Sequence, residues 1–593
     1  MCSIIGCLYN TTGSNVANVL VESMKKMEYR GYDSVGLATI NNQEILMKKG
    51  VGRVSDVNEK LALDTLKGKI GIGHTRWATH GGVTESNAHP HVCAKDKIAV
   101  VHNGIIENHL DLKKQLKTDD VIFKSETDTE VIPNLLSLSL DNENEIKNAI
   151  IKTVSKLTGQ YSFIAMLKDK STLIGVKNHE PLILGIGPEG HFLSSDILGF
   201  AKHVEEIIYL DDEQFVIVSP AGYSIYDFKG NRINVTPTRL SKTFENVEKG
   251  DYKHFTIKEI NEQTRTIVKS GIRSLEEFET FFNILKDSKR VYITGSGTSY
   301  HSALVAKYLF PKIVGMSVEP IMSSEMKFFE DCFDENSTLI AISQSGESAD
   351  VLNAVGFAKE RNAKILSIVN TTTSSLVKAS DASIGLNCGY EVGVAATKSF
   401  TSQVTILYRL LEKFDPEQRI TSQLNLVVDA ISKILSDKKS VIKISHELRN
   451  ITNLYILGRG VHYPIAKEGA LKIKELSYIH AEGVATGELK HGPLALMDES
   501  TYVIVINPKD NASTYADNLS NASEIKSRGA KIIGISNEPD QIYDHWIPLP
   551  EAPKLFYPII ETVPFQLMAY YLSIEKGNDP DYPRNLAKCV TVK

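Results

Sequence analysis

The sequence predicts an α+β layered domain followed by two doubly wound α/β domains. Three observations carry that expectation. The front portion consists of short β-like runs broken by Gly, Asn and His; past residue 250 the rhythm changes to strand, Gly-rich turn, helix; and the second half contains an ungapped internal repeat. The expected boundaries are 1–239 for the first domain, 240–250 for a linker, and 251–430 and 431–593 for the two repeated domains.

In the front portion KIGIGHTRWATHGG, KIAVVHNGIIENH and EQFVIVSPAGYSIY read as strands, whereas VANVLVESMKKMEYRG and TDTEVIPNLLSLSL carry helical spacing. The polar stretch SKTFENVEKG has no clear period and reads as the linker. In the repeat, VYITGSGTSYHSA (291–303) aligns with LYILGRGVHYPIA (454–466), both reading Tyr-Ile-x-Gly-x-Gly-x-x-Tyr-x-x-Ala. AKERNAKILSIVN (358–370) answers IKSRGAKIIGISN (525–537) as a helix end entering a buried strand. A duplicated βαβ-type unit explains both matches.

Bulk properties narrow the function. Apolar residues make up 42% of the 593 and the net charge is −6, which argues against general nucleic-acid or acidic-membrane binding. No apolar run approaches the ~20 residues needed to span a bilayer, and no basic-then-apolar leader opens the chain. The six cysteines are scattered without a C-x-x-C pair, so neither a disulfide framework nor a zinc site is expected. These features predict a cytoplasmic enzyme or binding protein.

Four places hold candidate chemistry. Cys2 directly follows the initiator methionine. It either opens a strand as a small residue or, after methionine removal, places its thiol beside a free α-amine able to act as its base. Arg76 in HTRWATHG offers a fork for a carboxylate, Asn103-Gly104 pairs a side-chain amide with a backbone N–H, and Asp128 in SETDTE can meet an ammonium. Each also has a structural reading: a surface ion pair, a hairpin turn and a helix cap. Ser343, Gln344, Ser345 and Ser348 surround Gly346 at a strand-to-helix turn, which is either a helix cap or an anion cradle. Finally, Glu468, Lys472 and Glu475 share one helical face, either a solvated stripe or a proton-transfer group, and Lys588 near the end can attack a sugar carbonyl if the tail docks.

CSIIGC, EYRGYDSVGLA, HTRWATHG, VVHNGIIENH and SETDTE, in that order, resemble the class II glutamine amidotransferase domain, an N-terminal-nucleophile αββα fold. GSGTSYHSALVAKY, SQSGESADV, EVGVAATKSFTSQ, GRGVHYPIAKEGALKIKELSYIHAE, GELKHGPLAL and PRNLAKCVTV resemble the two sugar isomerase (SIS) domains of the glutamine–fructose-6-phosphate aminotransferases. That resemblance implies synthesis of D-glucosamine 6-phosphate and L-glutamate from L-glutamine and D-fructose 6-phosphate, opening amino-sugar (UDP-N-acetylglucosamine) biosynthesis, without metal or organic cofactor. It implies Cys2 as nucleophile, Asn103 and Gly104 on the oxyanion, and Arg76 and Asp128 on glutamine, with Trp77 gating an ammonia channel. On the sugar side it implies Thr298 on a hydroxyl and Ser299, Ser343, Gln344, Ser345 and Ser348 on the phosphate. Lys588 would form a Schiff base, Glu475 with Lys472 would move the C1–C2 proton, and His491 would assist ring opening from the neighbouring subunit of a homodimer. Ala396 stands where relatives often carry Ser, and Cys589 has no assigned role. Other class II amidotransferases would need a phosphoribosyl-pyrophosphate or ATP-pyrophosphatase loop, and neither is evident. A non-catalytic sugar-phosphate sensor would bind without turnover.

Overall fold

The computed structural model describes residues 2–10, 15–240 and 248–590, so most of the expected linker lies outside the described residues. The chain divides into two compact units, one reaching to Glu248 and joined by Cys589, the other running from Lys249 to Lys588.

Among the described residues the first unit contains an eight-stranded and a seven-stranded sheet, with antiparallel pairing throughout the strands that matter here. The opening strand Ser3–Tyr9 is central: it pairs with Gly190–Ser194 on one side and Ile70–Arg76 on the other, with Ser3 opposite Thr75. In the second sheet Ile98–Gly104 pairs with Tyr161–Leu167. Alternation sends Ile4, Leu8, Ile70 and Ile72 from one sheet, and Ala99, Val101, Ile164 and Met166 from the other, into one shared core. Helix Ala17–Met27 covers the outside of the first sheet, its Leu20 and Met24 seated over Gly71 and Gly73, where a Cβ would approach to 2.9 and 2.8 Å. Helices Val131–Asn142 and Ile146–Val154 cover the second sheet. The layers are therefore α, β, β, α, and both expected helices and the expected strands are present.

The second unit holds two five-stranded parallel sheets. In the first, Arg290–Gly295 lies between Val318–Met322 and Ser337–Ser343, followed outward by Lys364–Val369 and Ala382–Gly385. In the second, Asn453–Gly458 lies between His480–Ala485 and Tyr502–Ile506, followed by Lys531–Ser536 and His545–Pro548. Both have the order 2-1-3-4-5. Runs such as TLIAIS, KILSIV and YVIVI are buried on both faces, as parallel strands covered by helices must be. In such sheets ligands bind at the carboxyl ends of strands 1 and 3, where the chain direction of the winding reverses. Helices Lys398–Phe414 and Thr562–Glu575 contribute to a single apolar core that runs through both copies.

Candidate active sites

Antiparallel pairing in the first unit brings the start of the chain beside the end of the Ile70–Arg76 strand. The Trp77 N–H donates to Cys2 Sγ at 3.2 Å, and Cys2 Sγ lies 3.4 Å from the Trp77 carbonyl. Burial pushes the Cys2 thiol up; the Trp77 N–H and the nearby Arg76 guanidinium pull the other way. Arg76 is 3% exposed, which rules out the surface ion pair, and donates to the carbonyls of His80, Gly81 and Gly82 at 2.6–3.0 Å. The loop after the strand is thus wrapped around the guanidinium. Burial lowers the Arg76 pKa, while Cys2, Asp33 and Asp128 within electrostatic reach oppose that.

Asn103 lies at the end of a strand rather than in a hairpin turn. Both its Oδ1 and Nδ2 are buried without a hydrogen-bond partner among the described residues. An amide left unsatisfied in the interior costs ~1–3 kcal/mol, so a waiting ligand group is the economical reason to keep one. Gly104 has φ +99°, and a Cβ there would meet the Gln160 carbonyl at 2.1 Å, so only glycine fits. Asp128, 3% exposed, accepts from the Ile106 N–H at 2.8 Å, which holds it in the same layer as the Asn103 strand end. Trp77 packs edge-on against Tyr32, ring centroids 5.9 Å apart.

In the second unit the turns after the first copy's strands 1 and 3 lie at the switch point. Gly297 (φ +54°) caps helix Thr298–Val314, and Thr298 and Ser299 are buried at its first turn. Ser299 Oγ accepts from Gln403 Nε2 at 3.0 Å. Ser343 Oγ accepts from the Gly346 N–H at 2.9 Å and Ser345 Oγ from the Glu347 N–H at 3.1 Å, while Ser348 takes the N-cap position of helix Ala349–Glu360. Two helix N-termini therefore open at the same sheet edge, with hydroxyls and N–H groups around them.

The Glu468/Lys472/Glu475 stripe is not solvated. Glu468 and Lys472 are 0% and 1% exposed. Lys472 Nζ lies 2.6 Å from Glu475, 3.5 Å from Glu468 and 3.0 Å from Thr298 Oγ1, and Thr298 Oγ1 donates to Glu468 at 3.1 Å. His301 completes the cluster through Glu468 at 2.7 Å. The helix of the second copy thereby meets the Gly turn of the first.

The tail docks. Asp581 caps helix Phe255–Gly271, accepting from the N–H groups of Phe255 and Thr256 at 2.9 and 2.8 Å. The Arg584 guanidinium stacks 4.2 Å over the Tyr478 ring. Lys588 Nζ ends 2.6 Å from Glu391 and 2.8 Å from the Gly393 carbonyl. His491, by contrast, is exposed at the end of the turn Thr486–His491, away from this cluster's hydrogen bonds. Sequence reasoning missed Glu391, Glu259, Gln403 and His301. Glu391 lay inside a recognised motif, EVGVAATKSF, but a lone acid in a Gly-rich loop gives no sign that it is buried.

The Cys2 thiol at the Trp77 N–H, the buried unpartnered Asn103 amide, and two hydroxyl-lined helix N-termini beside buried Lys472 and Glu468 fit an enzyme of the glutamine-amidotransferase and sugar-isomerase class. A glutamine amidotransferase domain model matches residues 74–201, and a SIS domain model matches 284–413 and 447–576. The chain is 39% identical over 599 residues to the glutamine–fructose-6-phosphate aminotransferase (isomerizing) of Methanothermobacter thermautotrophicus, and 40% identical over 606 to that of Aquifex aeolicus, each covering 100% of both chains. The C-terminal domain of glucosamine-fructose-6-phosphate aminotransferase from Francisella tularensis matches 56% of this chain and all of its own, at 32% identity and TM-score 0.54. The chain belongs to the glutamine–fructose-6-phosphate aminotransferase (isomerizing) family.

Proposed function

We propose that this enzyme moves the amide nitrogen of L-glutamine onto D-fructose 6-phosphate, giving D-glucosamine 6-phosphate and L-glutamate. Once methionine is removed, Cys2 attacks the glutamine amide with its own α-amine as base. Arg76 and Asp128 hold the amino acid's carboxylate and ammonium, and the Asn103 amide with the Gly104 N–H receives the oxyanion. Trp77, whose own N–H touches the thiol, gates the ammonia's exit. At the second site Ser299, Ser343, Gln344, Ser345 and Ser348 take the phosphate and Thr298 a hydroxyl. Lys588 forms an imine at C2 with loss of water, which acidifies C1–H, and the released ammonia displaces the Lys588 amine at C2, freeing the lysine. Glu475, paired with Lys472 at 2.6 Å, moves that proton between C1 and C2. His491 assists ring opening in a neighbouring subunit, which makes the working form a homodimer in the cytoplasm.

The observation that best supports this reading is the seating of Lys588, a tail residue, in a buried polar pocket beside Glu391. A sensor that only binds sugar phosphate has no use for such a lysine. The test is product analysis of the purified enzyme. With both substrates, glucosamine 6-phosphate and glutamate should form one to one, and fructose 6-phosphate that binds without yielding amino sugar would leave the sensor reading standing.

A further inference from the structure

The carboxylate facing Lys588 is built to stay charged. Glu391 is 3% exposed. Its Oε1 accepts from the N–H groups of Thr397 and Ser399 at 2.9 and 3.0 Å, and its Oε2 from Ser399 Oγ at 2.7 Å and Lys588 Nζ at 2.6 Å. The next two residues are fixed as well: the Val392 and Gly393 N–H groups donate to Glu259 at 2.5 and 3.2 Å, which aims the Gly393 carbonyl at the same lysine nitrogen. Such a cage favours the anion at every contact.

We propose that Glu391 is the fixed counter-ion of the Lys588 iminium, a positioning residue that also sets how long the sugar imine stays protonated. The inference rests on the Schiff-base reading above. Condensation of the lysine ammonium with the C2 ketone forms a C=N bond and breaks the C=O bond. Two of the three N–H protons leave with the oxygen as water, and the third stays on nitrogen. The charge at that nitrogen is +1 before and after, so one immobile carboxylate serves both states without reorganisation. An iminium kept protonated is the electron sink that lets Glu475 remove the C1 proton.

The surroundings agree. Burial raises the Glu391 pKa, but Lys588 and the Thr397 and Ser399 N–H groups outweigh it and hold the group at about 2. Burial and the adjacent Glu391 push Glu259 up to about 8, so near neutral pH it carries a proton and does not compete for the lysine. Lys398, paired with Glu262 at 2.6 Å, and Lys472 are the other cations that Glu391 faces, and Cys388 lies in the same electrostatic neighbourhood.

The test is trapping by cyanoborohydride, which reduces the protonated imine, with the full chain, fructose 6-phosphate and no glutamine. Adduct at Lys588 is read by peptide mass spectrometry across pH. The wild type should give the adduct, and Glu391→Gln should move the midpoint of the alkaline loss down by about 1–3 pH units. An unmoved midpoint overturns the proposal. If Glu391→Gln melts before assay temperature, Ser399→Ala decides, because stripping one donor from Oε2 strengthens its hold on the iminium. An upward shift supports the proposal; none, or a downward one, overturns it. Failure of the wild type itself to give the Lys588 adduct would instead remove the imine reading on which this rests.

Discussion

The two sugar-isomerase copies share a topology and differ at the one place where such a sheet binds ligands. In the first copy the switch point presents Ser299, Ser343 and Ser345 on two helix N-termini. At the aligned positions the second copy carries His462, Asn507 and Lys509, with Asp510 in place of Gly346. His462, 1% exposed, bonds Glu561 through Nδ1 at 2.9 Å and Asp510 through Nε2 at 3.2 Å. Burial lowers its pKa, but the two carboxylates more than compensate and carry it to about 10. The second cradle is thus filled by its own ion triad. That copy also lays its Glu468–Lys472–Glu475 helix against Thr298 at the first copy's Gly turn. The duplicated copies are therefore not chemically equivalent at this turn.

Changes that break this comparison can be ranked. The largest effect is expected from Lys588→Arg, which keeps charge but cannot form an imine: sugar amination should fall to background while glutamine hydrolysis persists, measured by separate glutamate and amino-sugar assays. Next, His462→Ala leaves two buried carboxylates uncompensated and should cost ~3–5 kcal/mol in urea unfolding, with KM for fructose 6-phosphate unchanged; a raised KM would mean the second copy still binds sugar. The same triad predicts a pH trend. The imidazole titrates near 6.5 unfolded and near 10 folded, so its stabilisation is complete below about pH 6.5 and disappears as pH rises through 10. Wild type should lose stability over that window relative to His462→Ala. On the proposed phosphate role, Ser345→Ala removes one hydrogen bond to a charged group and should raise KM by ~10–100-fold, about 1.5–3 kcal/mol. Lys509→Ala at the equivalent place, an exposed partner of Glu538, should alter KM less than twofold.

Much of this was legible in residues. The period-2 and strand–Gly–helix rhythms revealed both architectures, and the aligned GSGTSY and GRGVHY turns revealed the duplication. The hydroxyl cluster read equally as a helix cap or an anion cradle, and Cys2 as a strand opener or a nucleophile, until ordered motifs elsewhere in the chain favoured the second of each. What could not be read was burial. Glu468, Lys472 and Glu475 have the spacing of a surface stripe and become internal only because the second copy packs on Thr298. Glu391, Glu259 and the His462 triad depend on partners 48 to 197 residues away, and no local pattern encodes those.

The most direct test of coupling uses glutamine labelled with nitrogen-15 in its amide, fructose 6-phosphate, and excess ordinary ammonium in the buffer. The account predicts glucosamine 6-phosphate carrying the heavy nitrogen almost exclusively by mass spectrometry. Product that matches the nitrogen of the bulk ammonium would contradict it.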